Sequence, residues 1–252
     1  MTEEYESIID NEPVARKVLT LFYIIDTSGS MTGRKIGTVN AIMDEVIKEV
    51  RNVGGSDSEV KFQAMTFDDA VQWVYDEPVS IEDVKWVSLT TGGGTDLGSA
   101  LEELNSKLSR NGFMNTPSLS FAPVIFLLSD GCPNYDYKKG LDKIRGNKWF
   151  RYALKIGVGI GDDARDDILA EFTGNMETVV HADSGEELKR LIREITITSS
   201  MIGSKSSTID STGGIITPEQ ADRAKQNELA KKVAEIKEKT PTIRPEDIDS
   251  GW

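Results

Sequence analysis

The sequence predicts an α/β fold, a doubly wound and mostly parallel central sheet with one antiparallel edge strand and helices on both faces. Three observations carry this. Apolar runs of strand length alternate with helical periodicity along most of the chain. The run Val18–Ile25 is nearly continuous and rich in β-branched and aromatic residues, as a strand buried on both faces must be. Val60–Phe67 and Ala70–Tyr75 are separated only by Asp68-Asp69, a connection short enough to force an antiparallel hairpin at an edge.

The elements follow in order. Val18–Ile25 ends abruptly in Asp26-Thr27-Ser28-Gly29-Ser30-Met31, which is loop chemistry. Ile36, Val39, Ile42, Met43, Val46, Ile47 and Val50 then recur at three- and four-residue spacing, the apolar face of a helix broken by Gly54-Gly55. After the hairpin, the loop Thr91-Gly92-Gly93-Gly94-Thr95 leads into a helix over Leu97–Leu108. Phe121–Ser129 is a second buried strand, ended by Asp130-Gly131-Cys132-Pro133, and a short helix covers Lys138–Ile144. Tyr152–Val158 is a strand, Ala164–Phe172 a helix, Thr178–His181 a short strand, and Gly185 to about Thr198 a helix.

Near Met201 the texture changes to linker-like Gly203–Thr208 and Ser211–Gly214. A helix then starts at Thr217, with Pro218 first and Gln220 placed to close a capping box, and runs to Lys239. Its apolar face is thin: Ala221, Ala224, Leu229, Val233 and Ile236. The division expected is an N-terminal extension (1–17), a domain (18–202) and a C-terminal linker, helix and acidic tail (203–252).

The formal net charge of −13 disfavours partners that are themselves polyanions, nucleic acid and anionic membrane surfaces alike. The single cysteine, Cys132, precludes an internal disulfide. The first residues are acidic and lack the apolar run of a secretory signal, and no stretch approaches the ~18 apolar residues of a membrane span. The expected location is cytoplasmic.

Asp26-x-Ser28-x-Ser30 places oxygens at alternating positions of a tight loop directly after a buried strand, where they can point at one centre. A hard cation such as Mg²⁺ takes about six oxygens, several of them water. Hydroxyls alone hold it weakly, so carboxylates must supply charge. Asp130, at the tip of the second buried strand, offers another acid, and Thr95, raised on three glycines, a third hydroxyl. Both strand ends can meet at the carboxyl edge of a parallel sheet, where such folds bind ligands.

Taken together, Asp26-Thr-Ser28-Gly-Ser30, Gly-Gly-Thr95 and Ser129-Asp130-Gly131 resemble the metal-ion-dependent adhesion site of von Willebrand factor A domains. The resemblance covers roughly Val18 to Met201 and implies a Rossmann-like sheet. It further implies that Ser28, Ser30 and Thr95 ligate a divalent cation through hydroxyls. Asp26 and Asp130 would act directly or through water, and one position would stay open for a partner's Asp or Glu. The cation is expected to be Mg²⁺, with Mn²⁺ and Ca²⁺ as alternatives. Leu21–Met31 and Leu127–Pro133 are most similar to the intracellular tellurite-resistance (TerY-like) group. That implies a binding scaffold in a stress-response or defence system, alongside a PP2C-type phosphatase and a kinase. An alternative is an accessory subunit of an AAA+ ATPase or chelatase complex. A metal-dependent phosphoesterase is less favoured, because such sites gather several carboxylates or histidines and this chain has one histidine.

Other features read as structural. His181 has no nucleophile elbow to serve. Gly157-Val-Gly159-Ile-Gly161-Asp162 ends in an acid where a dinucleotide loop needs glycine. Asp96 departs from the neutral residue frequent after the threonine and is placed to cap the next helix. Asp162, Asp163, Asp166 and Asp167 suit a helix N-terminus better than a second cation site. Cys132 reads as a turn residue, and Trp73, Trp86 and Trp149 as packing residues. Trp252 closes an acidic tail, and three readings stand for it: docking on this domain, docking on a partner, or a disordered end.

Overall fold

The structure is a computed structural model that describes residues 16–53, 58–116, 118, 120–181, 193–199, 201–202 and 217–239. The Gly54-Gly55 break, the linker at 203–216, Trp252 with its tail, the start of the Gly185 helix and most of the N-terminal extension lie outside these residues.

Strand β1 (Lys17–Asp26) is the axis of the sheet. It pairs in parallel with β2 (Ser58–Phe67) on one side and, across the sheet, with the strand Val124–Ser129 on the other. Two short pieces, β3 (Val71–Trp73) and β4 (Val79–Ser80), both run antiparallel on the outer side of β2 and form the predicted edge. With β5 (Val124–Ser129), β6 (Leu154–Gly159) and β7 (Val179–His181), the order is β3-β2-β1-β5-β6-β7, with β4 beside β2. The chain leaves β1 to one side and returns to its other side, so the order reverses between β1 and β5. A crevice therefore opens at their carboxyl ends.

Side chains of β1 alternate between two cores. Leu19, Leu21, Tyr23 and Ile25 pack with Val39, Ile42, Met43 and Val46 of α1 (Arg34–Val53). Phe22 and Ile24 pack with Leu97, Ala100, Leu101 and Leu104 of α2 (Leu97–Lys107). That second face also takes in α3 (Lys138–Arg145), α4 (Lys148–Tyr152) and α5 (Asp166–Thr173). Tyr23 stacks on Phe126 with ring centroids 4.7 Å apart, and its hydroxyl shares a 3.0 Å hydrogen bond with Thr196. No helix among the described residues is long and apolar enough to cross a membrane.

Helix α6 (Pro218–Lys239) begins with the predicted capping box: Thr217 N–H donates to Gln220 Oε1 at 2.9 Å, and Gln220 N–H to Thr217 Oγ1 at 3.3 Å. Its thin apolar face is well used. Leu229, Val233 and Ile236 are buried in the same cluster as Tyr23 and Val180.

Two boundaries move for local reasons. Residues 148–152 are helical, because Asn147 caps them by accepting from Trp149 N–H at 2.9 Å, so β6 starts at Leu154 and not at Tyr152. Pro123 has no N–H for the ladder, and β5 begins after it, shorter than Phe121–Ser129. In β6, a Cβ on Gly157 would lie 2.9 Å from Leu169 Cβ. The glycine lets α5 approach, which accounts for one member of the dinucleotide-like pattern by packing alone.

Candidate metal centre

Three loops meet at the carboxyl ends of β1 and β5. The first follows β1 and tightens into a 3-10 turn at Gly29–Met31. The second is the glycine loop before α2, and the third follows β5. Backbone hydrogen bonds tie the first two together: Gly29 N–H donates to Gly93 O at 3.1 Å and Gly92 N–H to Thr27 O at 2.9 Å. The third is tied to the second by Asn134, whose N–H donates to Thr95 O at 3.0 Å and whose Oδ1 accepts from Thr95 N–H at 2.7 Å. Gly93 has φ of +68°, a conformation that favours glycine, and a Cβ there would lie 2.6 Å from Asp69 Oδ2, so that carboxylate would have to shift.

Four of the five sequence-predicted site residues belong to these loops, and Asp26 is the last residue of β1. Asp26, Ser28, Thr95 and Asp130 are buried, and Ser30 is exposed at the rim. Asp26 Oδ1 accepts from Ser28 N–H at 2.9 Å, and Oδ2 from Ser129 Oγ at 2.6 Å. Ser28 and Ser30 hydroxyls lie 3.0 Å apart. Asp130 Oδ2 accepts from Lys35 Nζ at 3.1 Å. Its other oxygen, Oδ1, is buried with no hydrogen-bond partner.

That orphaned carboxylate oxygen bears on whether the residues fit a cation. Leaving a buried charged acceptor unsatisfied is costly, and a divalent ion is one of the few groups that would satisfy it. A buried and a rim hydroxyl side by side, with two buried acids, are hard oxygen donors, suited to Mg²⁺ or Mn²⁺ and poorly suited to soft metals. Among the described residues, no group of three or more His, Cys, Asp or Glu is arranged to hold a metal, as a hydroxyl-rich donor set entails.

Electrostatics point the same way. Burial pushes the Asp26 carboxyl above its ordinary range, against the hydrogen bonds from Ser129 and Ser28, and the nearby Asp130 adds to the push. Two acids are thus held close together in a desolvated crevice. One cation faces them. Lys35 Nζ bridges Asp130 at 3.1 Å and Asp163 Oδ1 at 2.7 Å. Burial works against its charge, but the bonds to Asp163 and Asp130 outweigh that and raise its pKa.

Sequence reasoning missed Lys35, Ser129 and Asn134. Ser129 was within the quoted motif, but its bridging of Asp26 and Gly131 N–H (2.7 Å) shows only in three dimensions. Lys35 sits on the first turn of α1, where nothing in the helical pattern marks it.

Asp96 caps α2, accepting from Ser99 N–H at 2.9 Å. Asp167 pairs with Arg165 at 2.7 Å and Asp163 with Lys35 at 2.7 Å, and among the described residues these acids form no cluster of three arranged to hold a cation. Burial, followed by the charges of Asp130 and Asp163, pushes the Cys132 thiol up, away from thiolate reactivity. Trp73 packs edge-on to Phe113 and donates Nε1–H to Glu103 at 2.8 Å. Trp86 packs edge-on to Phe62, and Trp149 packs against the second core.

A family model of the von Willebrand factor type A domain matches residues 21–194, more than half of the chain. No curated protein matches. Among solved structures, proximal thread matrix protein 1 from the mussel byssus, in a form with a zinc-occupied MIDAS motif, superposes with a TM-score of 0.57 at 17% identity, over 74% of this chain and 48% of that one. A von Willebrand factor type A protein from Catenulispora acidiphila gives 0.54 at 20% identity, over 73% and 43%. The ArnB paralog VWA2 from Sulfolobus acidocaldarius gives 0.53 at 18%, over 72% and 46%. The chain spans less than half the length of each of these relatives.

Proposed function

The chain belongs to the von Willebrand factor type A domain family, and from that premise we propose that it is a protein-binding module whose partner contact depends on a divalent cation. Asp26, Ser28, Ser30, Thr95 and Asp130 would hold the cation. The observation that carries this reading is the buried, unpartnered Oδ1 of Asp130 beside the Ser28–Ser30 hydroxyl pair. When bound, the ion supplies a positive charge only partly neutralised by its hosts, which attracts a carboxylate from outside. The chain's own residues do the rest. Ser129 and Ser28 N–H fix both oxygens of Asp26, Lys35 fixes one oxygen of Asp130, and Asn134 fixes Thr95.

The proposed cation is Mg²⁺, with Mn²⁺ and Ca²⁺ as alternatives, and the proposed ligand is an acidic residue of a partner protein. The wider setting proposed is a cytoplasmic stress-response or defence assembly of the tellurite-resistance type, with a PP2C-type phosphatase and a kinase as partners. The proposal assigns the chain no catalytic role. Two acids, neither positioned by a histidine among the described contacts, are poorly equipped to activate water.

The test is the double variant Ser28→Ala/Ser30→Ala. Losing two hydroxyl ligands weakens Mg²⁺ affinity about tenfold or more, at ~1 kcal/mol per lost bond. Calorimetric titration reads the affinity, and capture of the proposed PP2C-type phosphatase with Mg²⁺ or chelator present reads the contact. Both should fall while the circular dichroism spectrum stays unchanged. Mg²⁺-dependent capture that persists in the double variant would overturn the reading.

A further inference from the structure

A second cleft lies at the opposite end of the parallel strands, remote from the crevice at Asp26 and Asp130. It is formed where β6 begins, where α5 turns into β7, and where α6 crosses both. Its volume is about 240 Å³, and its lining includes Lys155, Asn175, Arg223 and Asn227 but no Asp or Glu. A cavity with two cations and no acid is the reverse of the chain's overall balance of 29 basic to 42 acidic residues.

Lys155 is the centre of it. Its ammonium donates to Phe150 O at 3.0 Å and Ala153 O at 2.9 Å and lies 5.1 Å from the Phe150 ring centroid. An ammonium has three N–H donors, so one remains for the cleft. No carboxylate among the described residues pairs with Lys155 or with Arg223. Asn175 uses Oδ1 to accept from Glu177 N–H, which leaves its amide N–H₂ as a donor. We propose that this cleft is a binding site for a small phosphate-bearing ligand, held between Lys155 and Arg223 with the Asn175 amide as a neutral donor. A dianion matches two cations, and a lysine point charge beside an arginine fork is a pairing suited to phosphate oxygens. The volume is below the ~300–1,000 Å³ of drug-sized sites, which admits a single small anion rather than a nucleotide. Burial without a counter-ion pushes the Lys155 ammonium down to about 8, so its charge is held at a cost that an anion would offset.

The site is independent of the metal reading, and its test is run in chelator so that no cation at Asp26 and Asp130 takes part. The full chain is titrated with inorganic phosphate at constant ionic strength, with acetate as the monoanion control. Phosphate is expected to bind saturably, with a Kd of about 1 mM or tighter, and to raise the melting temperature, whereas acetate does neither. Lys155→Met and Arg223→Gln should each weaken phosphate binding about tenfold or more. Lys155→Met keeps the length of the side chain and removes its charge, and an unchanged circular dichroism spectrum with a cooperative melt shows that loss of binding is not loss of fold. Absence of saturable phosphate binding by the wild type would overturn the proposal. So would equal binding by wild type and both variants, or equal effects of phosphate and acetate.

Discussion

Asp130→Asn should abolish the stabilisation of this protein by Mg²⁺ while leaving its metal-free fold intact. The substitution keeps the size of the side chain and removes its charge. A divalent ion at contact with the orphaned Oδ1 loses an attraction of about 4 kcal/mol per unit charge, taking ~4 Å and an effective dielectric of ~20. After discounting for partial solvation, the expected loss is at least about a hundredfold in affinity, close to 3 kcal/mol. The metal-free protein should change by less than about 1 kcal/mol. The weakened contact to Lys35 is offset by relief of repulsion with Asp26, and Lys35 keeps Asp163. Melting in chelator and in excess Mg²⁺ reads both quantities. A wild-type-sized Mg²⁺ shift in the variant would show that Asp130 does not hold the ion.

The same variant carries a pH signature. Asp26 holds its proton more tightly in the folded chain than the ordinary value of 3.8. Its protonated form therefore favours folding at low pH, and that contribution is lost as pH rises through the raised folded value. The Asp26 contribution to the stability of the metal-free wild type should fall across that window. In Asp130→Asn the loss should be smaller, since one of the charges raising the Asp26 pKa is gone. Chelator-held melts between pH 4 and 7 measure the slope, and an identical slope in both proteins would exclude coupling between the two acids.

How much of this was legible beforehand follows the physics of each element. Buried strands announce themselves by composition, so β1 and β5 and the loops that end them could be read from Val18–Ile25 and Phe121–Ser129. Asp26 and Asp130 stand at those ends, and the reversal of strand order brings them together, as the alternating pattern implied. The short pieces were not legible. β4 has two residues and no periodicity to detect, and α4 depends on one capping side chain, Asn147. Lys35 was equally hidden, because its partners Asp130 and Asp163 are remote in sequence and only the fold joins them. The metal role proposed for the five residues rests on donor chemistry and resemblance. What the structure adds is a reason for it, in the unsatisfied oxygen of Asp130.

Val233→Asp should be the most damaging single change in α6, although that helix lies beyond the residues 21–194 matched by the family model. Composition marks this stretch as a polar appendage with a thin apolar face. The structure buries Val233 completely, between Leu229 and Ile236, within the cluster that holds Tyr23, Val180 and Ile195. The helix packs on β6, α4 and the turn at Met176–Thr178. It therefore roofs part of the β6 side of that core, in the same cluster as Ile195 and Ile202. An aspartate at this position must either stay charged in an apolar site or take up a proton. Each route costs several kcal/mol, and undocking α6 to escape it exposes Leu229, Ile236 and their neighbours. A loss of ~3 kcal/mol or more is expected, lowering the melting temperature by roughly 6–12 °C for a domain of this size. Lys231→Ala, on the exposed face of the same helix, should change it by less than about 0.5 kcal/mol. The contrast separates packing from helix propensity. If both variants melt like wild type, α6 is not part of the core that stabilises the sheet. Because α6 also walls the cleft at Lys155, undocking it should abolish phosphate binding there while leaving the crevice at Asp26 and Asp130, at the other end of the strands, able to respond to Mg²⁺.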